Sequence, residues 1–194
     1  MDHPPGTLAA RAGQAAAWLG SAAVMLAATA AAMDREITTL GGHWTGRDFW
    51  NNTWRAVRGL LSGINIYGPA HVSAPGIGHG WPVAPHVPGS LLWQAPFALL
   101  PLRAAVITYA FVSIAAIWAG VLVLCRPRQP WAVFTAAAAG GFAIYAGGGP
   151  MTLVLGQPTG FALLGLALVV RARRPWLAGL GFMLAATTIQ TGLP

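Results

Sequence analysis

The residues of this chain that could do chemistry are concentrated in one short polar segment, Arg47–Arg58. The segment lies between apolar stretches of a 194-residue chain that is only 8% charged. Its one carboxylate, Asp48, is among just four acidic residues in the whole chain. A carboxylate placed beside long apolar segments is costly to keep and is usually functional. Asp48 is therefore the first candidate for a catalytic group.

Residue spacing predicts a helix over 48–62 that carries two separate stripes. The apolar stripe follows the i, i+4, i+7, i+11 pattern and consists of Trp50, Trp54, Val57 and Leu61. The polar stripe, rotated from it by about 100°, consists of Asp48, Asn51, Arg55, Arg58 and Ser62. We expect the apolar stripe to enter the lipid headgroup layer while the polar stripe faces water. The polar stripe suits an anionic, hydroxyl-rich ligand, because arginine binds phosphate and aspartate accepts a hydroxyl proton.

A structural interpretation of the same residues stays open. Asp48 follows a Thr-Gly-Arg sequence and is a good candidate for a helix N-cap, and the arginines are suited to lipid headgroups. The loop that follows, 63–89, is rich in glycine, proline and histidine and should lack regular structure. No compact metal-ligand motif fits the spacing of its histidines, which are His71, His79 and His86. We therefore expect no metal site.

The composition indicates a membrane protein and excludes several other classes. The chain is 56% hydrophobic with a mean hydropathy of +0.60, far from the balance of a soluble domain. Its net charge is +7 and every basic side chain is an arginine. These arginines lie at the ends of apolar runs and form no basic face, so no nucleic-acid partner is expected. The single cysteine, Cys125, excludes an intramolecular disulfide and a cysteine metal cluster.

The elements that must position Asp48 are predicted from five apolar runs. They indicate an all-α polytopic membrane protein with about five transmembrane or half-membrane helices, because a full crossing takes about 20 residues. The runs are about 13–33, 103–125, 131–146, 152–170 and 176 to the end of the chain. We expect one membrane domain, 1–194. It would comprise a first membrane helix (13–33), an outer loop (34–90) containing the interfacial helix 48–62, and the remaining membrane helices (91–194).

The arginine distribution predicts the orientation of these helices. Two short arginine-rich turns, 126–128 and 171–174, should be cytoplasmic. This places the N-terminus in the cytoplasm and the loop with Asp48 outside. The loop holds four arginines of its own, a departure that long loops tolerate. An alanine-rich chain without lysine suggests a bacterial source, so we expect a multi-pass protein of the bacterial cytoplasmic membrane.

The order of several short motifs resembles glycosyltransferase family 87, a GT-C-type membrane family of bacterial mannosyltransferases and their relatives. Asp48 and the stretch 56–67 resemble the first outer loop of that family, with its aspartate, short helix and Gly-x-Asn-x-Tyr-like turn. The stretch 85–102 resembles the proline-containing approach to its second membrane helix. Further along, 155–160 resembles its Gly-Gln-x-Asn element, and 171–190 resembles its arginine turn and its helix rich in alanine and glycine.

Two residues depart from the family pattern, and the chain is also shorter than the family's members. Thr159 stands where the family has asparagine, and Gln190 stands where it commonly has lysine. The sequence ends at Pro194, where the resemblance has reached the fifth helix. We therefore expect a truncated GT-C-like domain whose C-terminal half is missing.

The resemblance implies that a hexose, expected to be mannose, moves from a polyprenyl-phosphate donor to an acceptor hydroxyl outside the membrane. Asp48 would be the general base, and Arg55 or Arg58 would stabilise the departing phosphate. The sugar or acceptor would be hydrogen-bonded by the remaining candidates, Asn51, Tyr67 and Gln157. The expected partners are membrane lipids and the lipid-linked donor, with no cofactor and no divalent metal.

Two non-catalytic functions are alternatives to the enzyme. The chain would be a membrane scaffold or subunit that pairs with a second chain supplying the missing helices, or an inactive truncated fragment. A small transporter is disfavoured, because the membrane runs contain almost no ionisable residues that would form a transport pathway.

Overall fold

The fold is helical throughout the residues that the computed structural model describes, which are 8–40, 45–67, 88–125, 129–145 and 149–186. Within these ranges the chain forms eight helices and no strand. In chain order they are α1 (Leu8–Thr39), α2 (47–61), α3 (Pro88–Ala98), α4 (Leu102–Cys125), α5 (Pro130–Tyr145), α6 (Gly149–Leu155), α7 (Thr159–Arg171) and α8 (Pro175–Ala186). The predicted all-α fold is confirmed.

Two of these helices are long and apolar enough to cross a membrane. The candidate span in α1 is Ala10–Thr39, which contains the predicted first membrane helix, and α4 is a span of 24 residues. The apolar helices α5, α7 and α8 have 16, 13 and 12 residues. At 1.5 Å per residue they reach roughly 18–24 Å, less than the ~30 Å hydrocarbon core. The structure is consistent with a membrane protein, but the predicted count of about five transmembrane or half-membrane helices is not confirmed.

One predicted helix is divided in two. The apolar run 152–170 was expected to be continuous, and the structure has α6 and α7 with a turn between them. The turn forms because Gly156 adopts φ +71°, a conformation that glycine reaches without strain. Hydropathy does not detect such a break, because the residues on both sides are apolar. Gln157 consequently lies in a turn rather than within a helix.

The helices pack through small residues, as expected where lipid provides no hydrophobic drive between them. α1 packs on α5, and α7 lies between α4 and α8. α7 and α8 approach closely, since a Cβ atom added to Gly165 would lie only 2.5 Å from the carbonyl oxygen of Gly181. One polar contact joins α1 to α4: the Trp118 indole donates a hydrogen bond of 3.0 Å to the Thr29 hydroxyl.

α2 is the predicted interfacial helix, with an irregularity that its sequence did not reveal. It consists of Arg47–Phe49, a π-helical turn Trp50–Trp54 and Arg55–Leu61. In the π turn the Arg55 backbone N–H donates to the Trp50 carbonyl, five residues back. Because this turn takes one residue more than an α turn, the residues after it are rotated by about 100° from their expected positions.

The two stripes predicted for this helix are therefore not separate. The side of α2 that packs against the protein consists of Phe49, Thr53, Ala56 and Val57. Arg55, from the polar stripe, lies with its guanidinium carbon 3.7 Å from the centre of the Trp50 ring. Arg58 lies over the ring of Trp54 in the same way, at 4.8 Å. Tryptophans expected in the headgroup layer are thus covered by the arginines expected to face water.

A buried polar network holds α2 against α3 and α4. The Thr53 hydroxyl donates to Oε1 of Gln94 at 2.9 Å, and the Tyr109 hydroxyl donates to the same oxygen at 3.4 Å. The Gln94 amide nitrogen donates to the Ser90 carbonyl at 3.0 Å. All four residues are buried, where a hydrogen bond left unmade is expensive. The network, with the Phe49 ring packed 4.4 Å from that of Tyr109, fixes the segment of α2 that carries Asp48.

Candidate functional site

Two of the predicted site residues, Asp48 and Gln157, are in direct contact. The Gln157 side-chain nitrogen Nε2 donates a hydrogen bond of 3.0 Å to Oδ2 of Asp48. The two residues are 109 positions apart in the chain, and both are half-buried. The described residues give the other carboxylate oxygen, Oδ1, no hydrogen bond. Asp48 therefore has one oxygen held by an amide and one available to a ligand.

Two glycine turns bring these side chains together. Gly46 precedes α2 with φ +66°, and its N–H donates to the carbonyl of Val154, near the end of α6, at 2.6 Å. A Cβ atom on Gly46 would lie 2.8 Å from a methyl carbon of Val106. Across the contact, a Cβ atom on Gly156 would lie 2.6 Å from the Cβ of Phe49. Since real Cβ atoms do not approach so closely, both positions require glycine for the turns to dock.

The alternative role of Asp48 as a helix N-cap does not fit the structure. The N-cap position is occupied by Gly46, and no side chain caps the helix. Asp48 is the second residue of the first turn, where its negative charge is favoured by the helix dipole. Its carboxylate is directed to Gln157 instead of to the helix backbone. The position is compatible with a chemical role.

Arg55 and Asn51 are joined to each other on the turns of α2 that follow Asp48. Nη1 of Arg55 donates a hydrogen bond of 3.3 Å to Oδ1 of Asn51, and its guanidinium lies over the Trp50 ring. Partial burial lowers the pKa of the Arg55 guanidinium below its ordinary value, yet arginine remains a cation at neutral pH. These turns thus carry a guanidinium that is held on two sides, by an amide and by an aromatic ring.

Arg58 and Tyr67 are not part of this arrangement. Arg58 follows Asp48 by ten residues, which is about 15 Å along a helix, and its Nε donates to the carbonyl of Ala98 at 3.0 Å. Tyr67 lines an apolar pocket between α2 and α3 to which neither Asp48 nor Gln157 contributes. Among the six predicted site residues, the structure joins Asp48 to Gln157 and Asn51 to Arg55, while Arg58 and Tyr67 lie elsewhere.

One buried carboxylate near the site, Glu36, was missed from the sequence. It lies in the last turn of α1 with 1% of its surface exposed, and neither carboxylate oxygen has a hydrogen-bond partner among the described residues. It lines a narrow crevice with Leu153 of α6, the helix that leads into Gln157. Little in the sequence indicated that Glu36 would be buried. It follows the predicted membrane helix 13–33 and was therefore assigned to the outer loop.

Metal binding finds no support in the part of the chain that the structure describes. In that part, no three or more histidine, cysteine, aspartate or glutamate side chains lie close enough together to hold a metal ion. The loop histidines lie outside the described residues: His71, His79 and His86. The prediction made for them stays a prediction.

Comparison with protein families gives one match. A family model described as glycosyltransferase family 87 matches residues 85–194, more than half of the chain. The matched region contains α3 to α8 and Gln157, while Asp48 and α2 precede it. Comparisons with curated proteins and with solved structures found no match. The family suggested by the order of the motifs is confirmed over this region, and the chain belongs to glycosyltransferase family 87, a family of membrane glycosyltransferases.

Proposed function

We propose that this chain is a membrane glycosyltransferase, or the N-terminal half of one, that transfers a hexose from a polyprenyl phosphate to an acceptor hydroxyl outside the membrane. The observation that carries the proposal is the hydrogen bond between Asp48 and Gln157. Gln157 belongs to the region that matches the family, and Asp48 precedes that region. The contact therefore connects the candidate base to the family's own part of the chain.

In this proposal Asp48 acts as the general base. Its free oxygen, Oδ1, takes the proton of the acceptor hydroxyl while the hydroxyl oxygen attacks the anomeric carbon of the hexose. The bond from that carbon to the phosphate oxygen breaks, and its electron pair leaves with the prenyl phosphate. A single displacement of this kind inverts the anomeric configuration. Gln157 positions the base, because its amide holds the second carboxylate oxygen and fixes the plane of the group.

Arg55 is the residue best placed to stabilise the departing phosphate. The base and the phosphate oxygen flank the same anomeric carbon, so the phosphate must lie within a few ångströms of the sugar that contacts Asp48. Arg55 is three residues nearer to Asp48 on α2 than Arg58 is, and it is held by Asn51 and the Trp50 ring. A cation fixed in advance stabilises developing negative charge without reorganising. Arg58, about 15 Å from Asp48 along the helix, is too distant for this role.

The donor class is tested by a transfer assay with the protein reconstituted in liposomes, alone and with any chain that supplies further helices. Polyprenyl-phosphate hexoses and nucleotide hexoses are offered separately. We expect transfer from the prenyl-linked hexose, with mannose the preferred sugar and inversion in the product. Transfer only from nucleotide sugars would contradict the proposed donor, and retention would contradict the single displacement. A correctly inserted protein that transfers nothing would support the non-catalytic subunit.

A further inference from the structure

A second pocket lies at the far end of α2 from Asp48. It is apolar, has a volume of about 300 Å³, and is formed between the last turns of α2 and the first turns of α3. α2 contributes Val57, Leu60 and Leu61. α3 contributes Leu91, Leu92 and Ala95. The volume is at the lower end of the range for small-molecule pockets, and no acidic side chain lines it.

The outer edge of this pocket is apolar, and none of the residues that the structure describes covers it. Leu61 is 65% exposed and Leu92 is 76% exposed, while Leu91 and Val57 form the buried floor. The phenol of Tyr67 also lines the pocket, and burial raises its pKa above the ordinary value, so it brings no negative charge. Contiguous apolar surface of this kind marks a site that another apolar group occupies. In a membrane protein the nearest such group is a lipid chain.

A fixed cation, Arg58, is the chain neighbour of Val57 in the pocket floor, although it does not itself line the pocket. Arg58 is one helical turn from Leu61 on α2, and its Nε is bound to the carbonyl of Ala98, one turn beyond Ala95 on α3. Its guanidinium also lies over the Trp54 ring. The described residues give its two terminal nitrogens no hydrogen bond, so both can donate to an anion. An apolar pocket with a held guanidinium on the adjacent helical turn is complementary to an amphiphile with a negatively charged head.

We propose that this pocket binds an acyl chain of an anionic membrane phospholipid, with the headgroup phosphate on Arg58. The lipid donor of the proposed reaction fits less well, because a phosphate on Arg58 would lie too far from Asp48 for its sugar to be attacked. The bound lipid would hold α2 at the membrane surface and so set the depth of Asp48 in the interface. This assigns to Arg58 a function separate from the transfer reaction.

The site can be probed with a fluorophore at its rim. Leu92→Cys is introduced into a Cys125→Ser background, labelled with a small maleimide dye, and placed in nanodiscs containing lipids with brominated chains. We expect brominated phosphatidylglycerol to quench the dye at about one fifth of the mole fraction that brominated phosphatidylcholine needs. One basic residue at an anionic surface corresponds to about this factor. Ala95→Trp, which fills the pocket, should reduce quenching by both lipids.

Arginine variants test whether the positive charge of Arg58 causes the preference for phosphatidylglycerol. Arg58→Gln should abolish the preference for phosphatidylglycerol, and Arg58→Lys, which keeps the charge, should retain most of it. Arg173→Gln removes one charge from the exposed turn between α7 and α8 and should leave the preference unchanged. Equal quenching by the two lipids, or a preference that survives Arg58→Gln, would overturn the proposal. Displacement of phosphatidylglycerol by a polyprenyl phosphate at equal mole fraction would overturn it too, because the pocket would then belong to the donor.

Discussion

At the scale of single residues, the proposed chemistry depends on the contact of one carboxylate with one amide. The sequence predicted both Asp48 and Gln157 as site residues, from the polar segment and from the family resemblance. It gave them different roles, because spacing along a chain does not show which side chains meet across 109 positions. The structure shows the Gln157 amide donating a hydrogen bond to Asp48, and under the proposed function this makes Gln157 a positioning residue.

The role of Gln157 can be separated from substrate binding by its effect on kcat and KM. Gln157→Leu removes the donor at similar size, and we expect kcat to fall about tenfold with little change in KM. This is the consequence of losing a charge-assisted hydrogen bond of about 1.5–3 kcal/mol that orients the base. Steady-state transfer rates measure it, with Gln129→Leu, an exposed amide outside the helices, as the matched control. A higher KM at unchanged kcat would instead mean that Gln157 holds the sugar or acceptor.

At the scale of elements, the site is made by two docked turns. The sequence predicted the helix 48–62 closely, because its amphipathic spacing and preceding glycine are local signals. It missed the π turn at Trp50–Trp54, since contacts such as that of Thr53 with Gln94 come from distant parts of the chain. It also missed the break after α6, because a glycine inside an apolar run gives no hydropathy signal. The break after α6 is one of the two glycine turns that bring Gln157 and Asp48 together.

The docking of the turns predicts that Gly156 cannot be replaced. Gly156→Ala puts a side chain at φ +71° and 2.6 Å from the Cβ of Phe49. We expect a loss of about 1–3 kcal/mol of stability from the backbone strain alone, together with reduced transfer as Asp48 and Gln157 separate. Thermal unfolding in detergent and the transfer assay provide the two readouts. Gly179→Ala, in α8, meets nothing within 4 Å and should be neutral or slightly stabilising; equal effects of the two substitutions would contradict the docking.

At the scale of the whole molecule, the all-helical fold and the family were accessible from composition and motif order. The number of membrane-crossing helices could not be predicted in this way, because the length of an apolar run does not show where a helix ends. α1 and α4 have the length to cross, whereas α5, α7 and α8 are shorter. The orientation predicted from the arginine-rich turns stays a prediction, and so does the position of α2 outside the membrane.

The orientation is tested with the protein's own cysteine. Cys125 is exposed at the end of α4 and directly precedes the arginine-containing segment 126–128, which is predicted to be cytoplasmic. In intact cells we expect it to resist a membrane-impermeant maleimide and to react with a permeant one. Ser62→Cys in a Cys125→Ser background, on the exposed end of α2, should react with both reagents. The opposite labelling pattern at the two positions would show that the topology is the reverse of the predicted one, with Asp48 in the cytoplasm.

The central claim, that Asp48 is the base of a glycosyl transfer, is tested most directly by one comparison of rates. Asp48→Asn and Asp34→Asn each remove one carboxylate; Asp34 is exposed on α1 and has no part in the site. With both variants inserted at wild-type levels, transfer from a polyprenyl-phosphate hexose should fall about 10²–10⁴-fold for Asp48→Asn, the range for loss of general-base catalysis. Asp34→Asn should transfer at the wild-type rate. Transfer by Asp48→Asn within about twofold of wild type, below any general-base contribution, would contradict the assignment.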